Sequence, residues 1–175
     1  MRLNKFRRSQ LIAPFGPGAL HILKQGIAVI TAGLDHWGKS IDGSMPTSEQ
    51  KERMKIREPR LERKLQVSHF RLAPGPDTRI EPNDPELVTP LLRFPTWYVC
   101  PKCHGMLKEK LHRQGWVTCG NDSCNRERMN QVRFAAVCEH GHLQDFPWME
   151  WVHRTDQITE CSPRDLSYNA GGSGS

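Results

Sequence analysis

Four cysteines stand at Cys100-x2-Cys103-x15-Cys119-x4-Cys124, and two close thiol pairs at that separation can converge on one tetrahedral cation. Zn²⁺ is closed-shell and borderline-soft, so four thiolates at about 2.3 Å satisfy it and leave no coordination position open to water. The spacing points to a structural ion held by Cys100, Cys103, Cys119 and Cys124 rather than to hydrolysis. Two disulfides are the competing reading. Met1 to Gln10 carries four basic residues, and no apolar segment of signal length follows. The expectation is therefore a cytoplasmic protein, and in a reducing compartment this spacing reads as metal-binding.

A second group of chemically active residues follows in Cys138-Glu139-His140-Gly141-His142-Leu143-Gln144-Asp145. Cys138, His140 and His142 are candidate ligands for a second metal, or one of them replaces a cysteine of the first set. A metal-dependent hydrolase or nuclease built on these three and Asp145 would need an open position and a general base, for which Glu139 is the near candidate. The His-Glu-x-x-His pattern of zinc peptidases is absent. The preferred reading is a packed, hydrogen-bonded turn in which His142 and Asp145 pair.

The elements that must position the cysteines are short. Trp97-Tyr98-Val99 reads as a strand delivering Cys100, and Pro101 to Gly105 as a tight turn. Gly115 to Thr118 reads as a returning strand that delivers Cys119, and Gly120-Asn121-Asp122 with Asn125 gives Cys124 its own turn. Arg133 to Cys138 is a further apolar strand. Upstream, Gly26 to Leu34 reads as a buried strand behind a Gly16-Pro17-Gly18 turn. Glu49 to Lys64 should form two short helices broken at Pro59, with Ser48 as the first N-cap and Leu61, Leu65 and Phe70 turned inward. Pro74, Pro76, Pro82 and Pro85 mark an extended connector, and Asp84-Pro85-Glu86 the start of a short helix through Leu92.

These readings give an α+β, loop-rich fold: a small N-terminal β unit with short helices, followed by a zinc-ribbon-like β module. The expected divisions are an N-terminal unit (1–72), a Pro-rich connector and short helix (73–95), the zinc-ribbon-like module (96–165) and a flexible tail (166–175). With 37% hydrophobic residues, 13 prolines and 14 glycines in 175 residues, the metal would substitute for core that a small module lacks.

The net charge of +6 is unevenly laid out. Residues 102–133 carry seven basic and three acidic side chains, whereas residues 134–175 carry two and six. A basic surface around the cysteines attracts polyanions, and Arg7, Arg8, Lys108, Lys110, Arg113, Arg126 and Arg128 are the candidate contacts to a nucleic-acid backbone. Trp97, Tyr98 and Trp116 are either stacking platforms for bases or core. Core is preferred for both tryptophans.

Several motifs in order resemble the N-terminal part of the DrmB family of DISARM anti-phage defence. They are Arg7-Arg8-Ser9-Gln10 leading into Phe15-Gly16-Pro17-Gly18-Ala19, then Gly33-Leu34-Asp35-x-Trp37, then Phe94-Pro95-x-Trp97-Tyr98-x-Cys100-Pro101-x-Cys103, and finally Arg133-Phe134 through Asp145-Phe146-Pro147-Trp148. Members of that family are several times longer, so the chain looks like an N-terminal piece, a truncated reading frame or a split subunit. The resemblance implies a non-catalytic bacterial or archaeal component that partners a helicase-like DrmA-type subunit and binds DNA without sequence preference. Two alternatives are a zinc module for protein contacts only, and the hydrolase centred on Cys138, His140 and His142.

Overall fold

The structure, a computed structural model, describes residues 8–37, 39–40, 45–73, 87–154 and 161–169. Arg7 and most of the Pro-rich segment fall outside them. The described elements run α1 (Arg8–Ile12), β1 (Leu20–Ile22), β2 (Ala28–Thr31), β3 (Lys39–Ser40), α2 (Ser48–Arg53), β4 (Lys55–Ile56), α3 (Pro59–Leu65), β5 (Phe70–Arg71), β6 (Leu87–Val88), β7 (Leu91–Arg93), β8 (Trp97–Val99), β9 (Met106–Lys108), β10 (Asn130–Gln131), β11 (Ala135–Val137), β12 (Leu143–Asp145) and α4 (Trp148–Val152). The fold is α+β, with short helices, small antiparallel sheets and a compact four-cysteine module of zinc-ribbon-like form. Among the described residues no helix is long and apolar enough to cross a membrane.

Two compact units share the chain: Met1–Leu23 with Ile30–Leu92, and Lys24–Val29 with Arg93–Ser175. In the first unit the Gly-Pro-Gly turn has a local cause at each glycine. A Cβ on Gly16 would meet the Leu11 carbonyl oxygen at 3.0 Å, and Gly18 adopts φ +81°, which L side chains rarely occupy. The turn is then held by Thr31, whose side chain is buried and whose hydroxyl donates to the Phe15 carbonyl at 2.9 Å.

The stretch from residue 48 to 65 forms two helices, as expected, but the first cap sits one residue earlier. Thr47, not Ser48, accepts from the Gln50 N–H while the Gln50 side chain accepts from the Thr47 N–H. Only Thr47 has a residue with an acceptor side chain at the third helical position; Ser48 would have Lys51 there, which can only donate. Pro59 opens α3 at its first turn, where its missing N–H is no loss.

The inward face of α3 differs from expectation. Leu61 and Leu65 are exposed, whereas Glu62 is buried and accepts from the Glu58 N–H at 3.0 Å and from Arg57 Nε at 3.0 Å. One acid that satisfies a helix N-terminus and an arginine together is worth burying. The helix expected through Leu92 is also replaced, because residues 87–88 and 91–93 are strands. Pro90 lies between them; it biases Thr89 toward extended backbone, and its carbonyl accepts from the Ala32 N–H at 3.0 Å.

In the second unit β8 is the centre of a sheet of order β10-β8-β9. Gln131 pins the Lys24–Val29 segment onto this unit: its side chain accepts from the Ala28 N–H at 2.8 Å and donates to the Ala28 and Pro95 carbonyls at 3.1 and 2.6 Å. Trp97, Met106, Val132 and Leu166 form one buried cluster, with Trp148 and Tyr168 packed against it. Residues 166–169, expected in a flexible tail, are thus docked: the Met106 N–H donates to the Leu166 carbonyl, and the Tyr168 N–H to the His104 carbonyl.

Candidate metal centre

Each cysteine pair sits on its own hydrogen-bonded turn. β8 and β9 pair antiparallel, Val99 opposite Met106, and the turn between them is closed by the Cys100 N–H donating to the Gly105 carbonyl and the His104 N–H to the Cys100 carbonyl, both at 3.0 Å. The second turn is closed by the Cys119 N–H on the Glu127 carbonyl at 2.8 Å and the Met129 N–H on the Val117 carbonyl at 2.9 Å. A 3₁₀ turn at Asp122–Cys124, capped by the Asn121 side chain, points Cys124 inward. Asn125 and Arg126 then take φ of 52° and 55° to reverse the chain.

The two turns bring all four sulfurs within 4.8 Å of one another. Sulfurs 2.3 Å from a tetrahedral centre lie about 3.8 Å apart, and Cys103 Sγ is 3.7 Å from Cys119 Sγ. The cysteines are free thiols rather than disulfides. The donor set therefore fits one thiophilic cation in a closed site. Cys100, Cys119 and Cys124 are buried, and with Tyr98, Val117 and Met129 they constitute the local core. Outside that core, Lys102 Nζ meets Glu127 Oε2 at 2.9 Å, an ion pair that joins the two turns; the partners raise the lysine and lower the acid respectively. Sequence reasoning missed this clamp, whose one signal is a lysine inside the first pair and an acid shortly after the second.

The thiols do not share their protons evenly. Burial works to raise Cys100, but the N–H groups of Cys103 and Lys102, with the thiols of Cys103 and Cys119, outweigh it and bring it down to about 7. Cys124 is pushed up to about 12 by burial and then by the Cys103 and Cys100 sulfurs. The Asn121 N–H pulls Cys119 down, yet burial and the Cys100 and Cys103 sulfurs prevail and raise it. At neutral pH Cys119 and Cys124 are held as thiols, so a cation that needs their thiolates must expel at least two protons. Affinity should then fall at least about 100-fold per pH unit near pH 7, where Cys100 also begins to protonate, and more steeply below it. Chelator competition from pH 6 to 8 measures the slope; a flat profile would contradict the ligand set.

Residues 7–175 match a domain of unknown function, DUF8724. The chain belongs to the DUF8724 family. A DISARM protein DrmB from Bacillus paralicheniformis is 30% identical over a 92-residue alignment that covers 49% of this chain and 16% of that protein. The DUF8724 chain therefore corresponds to a small part of that relative's length.

The other predicted residues of this DUF8724 chain are dispersed. Arg7 lies outside the described residues, and Arg8 opens α1. Lys108 ends β9 with its ammonium 5.8 Å from the Trp97 ring centroid, Arg113 pairs with Glu109 at 3.8 Å, and Lys110 and Arg126 are exposed. Arg128 lies 3.1 Å over the ring of Trp116. Trp97 and Tyr98 are core, as preferred for the tryptophan, but Trp116 is 47% exposed; its strand is reduced to a single bridge between Thr118 and Arg128, and the Arg128 guanidinium lies on the indole.

The Cys138 to His142 segment is a hydrogen-bonded turn, as preferred, but it forms the exposed tip of the β11–β12 hairpin and is not packed. Cys138 Sγ lies 3.3 Å from His142 Nδ1, and His140 Nε2 lies 3.7 Å from Glu139 Oε1. Asp145 does not pair with His142. Its carboxylate accepts from the Thr96 N–H at 2.7 Å and the Thr96 hydroxyl at 2.5 Å. The reason is satisfaction of buried donors: Thr96 is 5% exposed, and its backbone N–H needs an acceptor that the neighbouring strands do not provide.

Proposed function

We propose that this chain is a zinc-stabilised, non-catalytic component of a bacterial or archaeal anti-phage defence complex, binding a helicase-like partner of the DrmA type and contributing to DNA binding. The observation that carries the reading is the four-sulfur cluster, all four atoms within 4.8 Å of one another and three of the cysteines buried. Four sulfurs around one ion leave no place for substrate or water, so the centre serves architecture. Zn²⁺ is the cation that best suits four thiolates in a closed tetrahedron. The similarity to a DISARM protein DrmB supports the assignment to defence.

Support for DNA comes from the exposed cations carried by the module: Lys108, Lys110, Arg126 and Arg128 flank the two cysteine turns. Their mechanism is neutralisation of phosphates with release of counterions. Anisotropy titrations of labelled single- and double-stranded DNA test it. With four phosphate contacts on a duplex, raising salt from 50 to 200 mM should weaken binding on the order of 100-fold, and Arg126→Ala with Arg128→Ala should flatten that slope. The exposed Trp151 and Val152 favour a second reading, protein contacts alone. Co-purification with the helicase-like subunit in the absence of any salt-sensitive DNA binding would select it.

A further inference from the structure

The tip of the β11–β12 hairpin holds three metal-seeking side chains that the four-cysteine centre does not use. Its backbone is fixed: the Cys138 N–H donates to the His142 carbonyl at 3.1 Å, the Gly141 N–H donates to the Cys138 carbonyl at 2.9 Å, and Val137 stands opposite Leu143. Gly141 takes φ +80°, which lets five residues reverse the chain. As a consequence Cys138 and His142 flank the mouth of the loop on the same side, with Sγ 3.3 Å from Nδ1. A sulfur and an imidazole nitrogen bound to one tetrahedral Zn²⁺ or Co²⁺ are about 3.5 Å apart, given bond lengths of about 2.3 and 2.05 Å.

We propose that this tip is a second, separate site for a borderline divalent cation such as Zn²⁺, Co²⁺ or Ni²⁺, held by Cys138, His142 and His140. Thiolate and imidazole are the ligands such cations prefer over Ca²⁺ or Mg²⁺. Cys138 and His142 form a ready edge. His140 stands outside ligand distance of that pair, with its ring centroid 6.4 Å from that of His142 and its side chain 76% exposed, and must rotate about its own bonds to reach the ion. Glu139, 87% exposed beside it, supplies a nearby carboxylate. On binding, the Cys138 proton passes to solvent and the sulfur takes the cation. Three protein ligands leave one position for water or a donor from outside, unlike the closed four-sulfur centre. The buried centre retains its ion, whereas the hairpin exchanges one with solvent.

Titration of the full chain with Co²⁺ under a thiol-compatible reductant tests the site, because cobalt absorbs differently in a four-thiolate and a one-thiolate environment. Two equivalents should bind, the second more weakly and with the spectrum of a single thiolate. Cys138→Ser and His142→Ala should each weaken the second equivalent about 100-fold or more, no less than the loss of an outer-shell partner costs, while His140→Ala weakens it less. The first equivalent's four-thiolate spectrum reports that the variants remain folded. Saturation at one ion per chain, or a second equivalent unchanged in Cys138→Ser, overturns the proposal.

Discussion

Chelation of the ion should unfold the segment between Val99 and Met129. Its core consists of Tyr98, Val117 and Met129 around three buried cysteines, with Cys103 and Leu107 packed at the edge. Without the cation, that core is a handful of side chains around four mutually crowded sulfurs. The elements that carry them are strands of three and two residues, one isolated bridge and a 3₁₀ turn, too few hydrogen bonds to offset the entropy of ordering the chain. A structural zinc contributes about 10–16 kcal/mol of apparent binding free energy, against a net stability of about 5–15 kcal/mol for a whole domain. Cys100→Ser and Cys124→Ser should reproduce the chelated state, because a hydroxyl does not ionise to a soft ligand near neutral pH. Fluorescence of Trp97 and Trp116 and near-UV circular dichroism follow the change, and re-addition of Zn²⁺ should reverse it in the parent chain but not in the serine variants. Persistence of the native spectrum at undetectable metal content would mean that the sulfurs are ordinary core.

The four-cysteine cluster was legible because its information is local. Each cysteine pair lies within six residues, with its own turn formers and an apolar flank, so the spacing alone placed four sulfurs at one point. The identity of the buried faces was not legible. Strands of two to four residues show no period to read, and the sequence cannot announce that Glu62 is buried while Leu61 and Leu65 of α3 are exposed, or that Trp116 stays exposed under Arg128 while Trp97 is buried. Long-range polar pairings are hidden for the same reason. Gln131 fixes Ala28 across 103 positions and Asp145 fixes Thr96 across 49, and nothing local to either residue names its distant partner. Asp145 lay instead beside two histidines, where its chemistry suggested a pairing with His142.

That misreading makes Asp145 the most informative position outside the cysteines. Its two carboxylate oxygens separately accept the Thr96 N–H and the Thr96 hydroxyl, and so tie the end of β12 to the residue that precedes β8. Hydrogen bonds to a charged acceptor contribute about 1.5–3 kcal/mol each, and Asp145→Ala removes both while leaving a backbone N–H and a hydroxyl at a position only 5% exposed. The expected loss is about 2–4 kcal/mol, which in a unit of this size lowers Tm by roughly 10 °C or more. Asp145→Asn keeps one carbonyl oxygen for the N–H, and the Thr96 hydroxyl can rotate to accept from the amide, so about 1 kcal/mol should be lost. Thr96→Val tests the pair from the other side: combined with Asp145→Ala, it should cost less than the two single changes summed, because each removes the same hydroxyl contact. Thermal denaturation measures all four chains, and metal analysis should find the ion content of Asp145→Ala equal to that of the parent. A variant that loses metal yet melts at the parent temperature would return Asp145 to the ligand set and remove it from the framework.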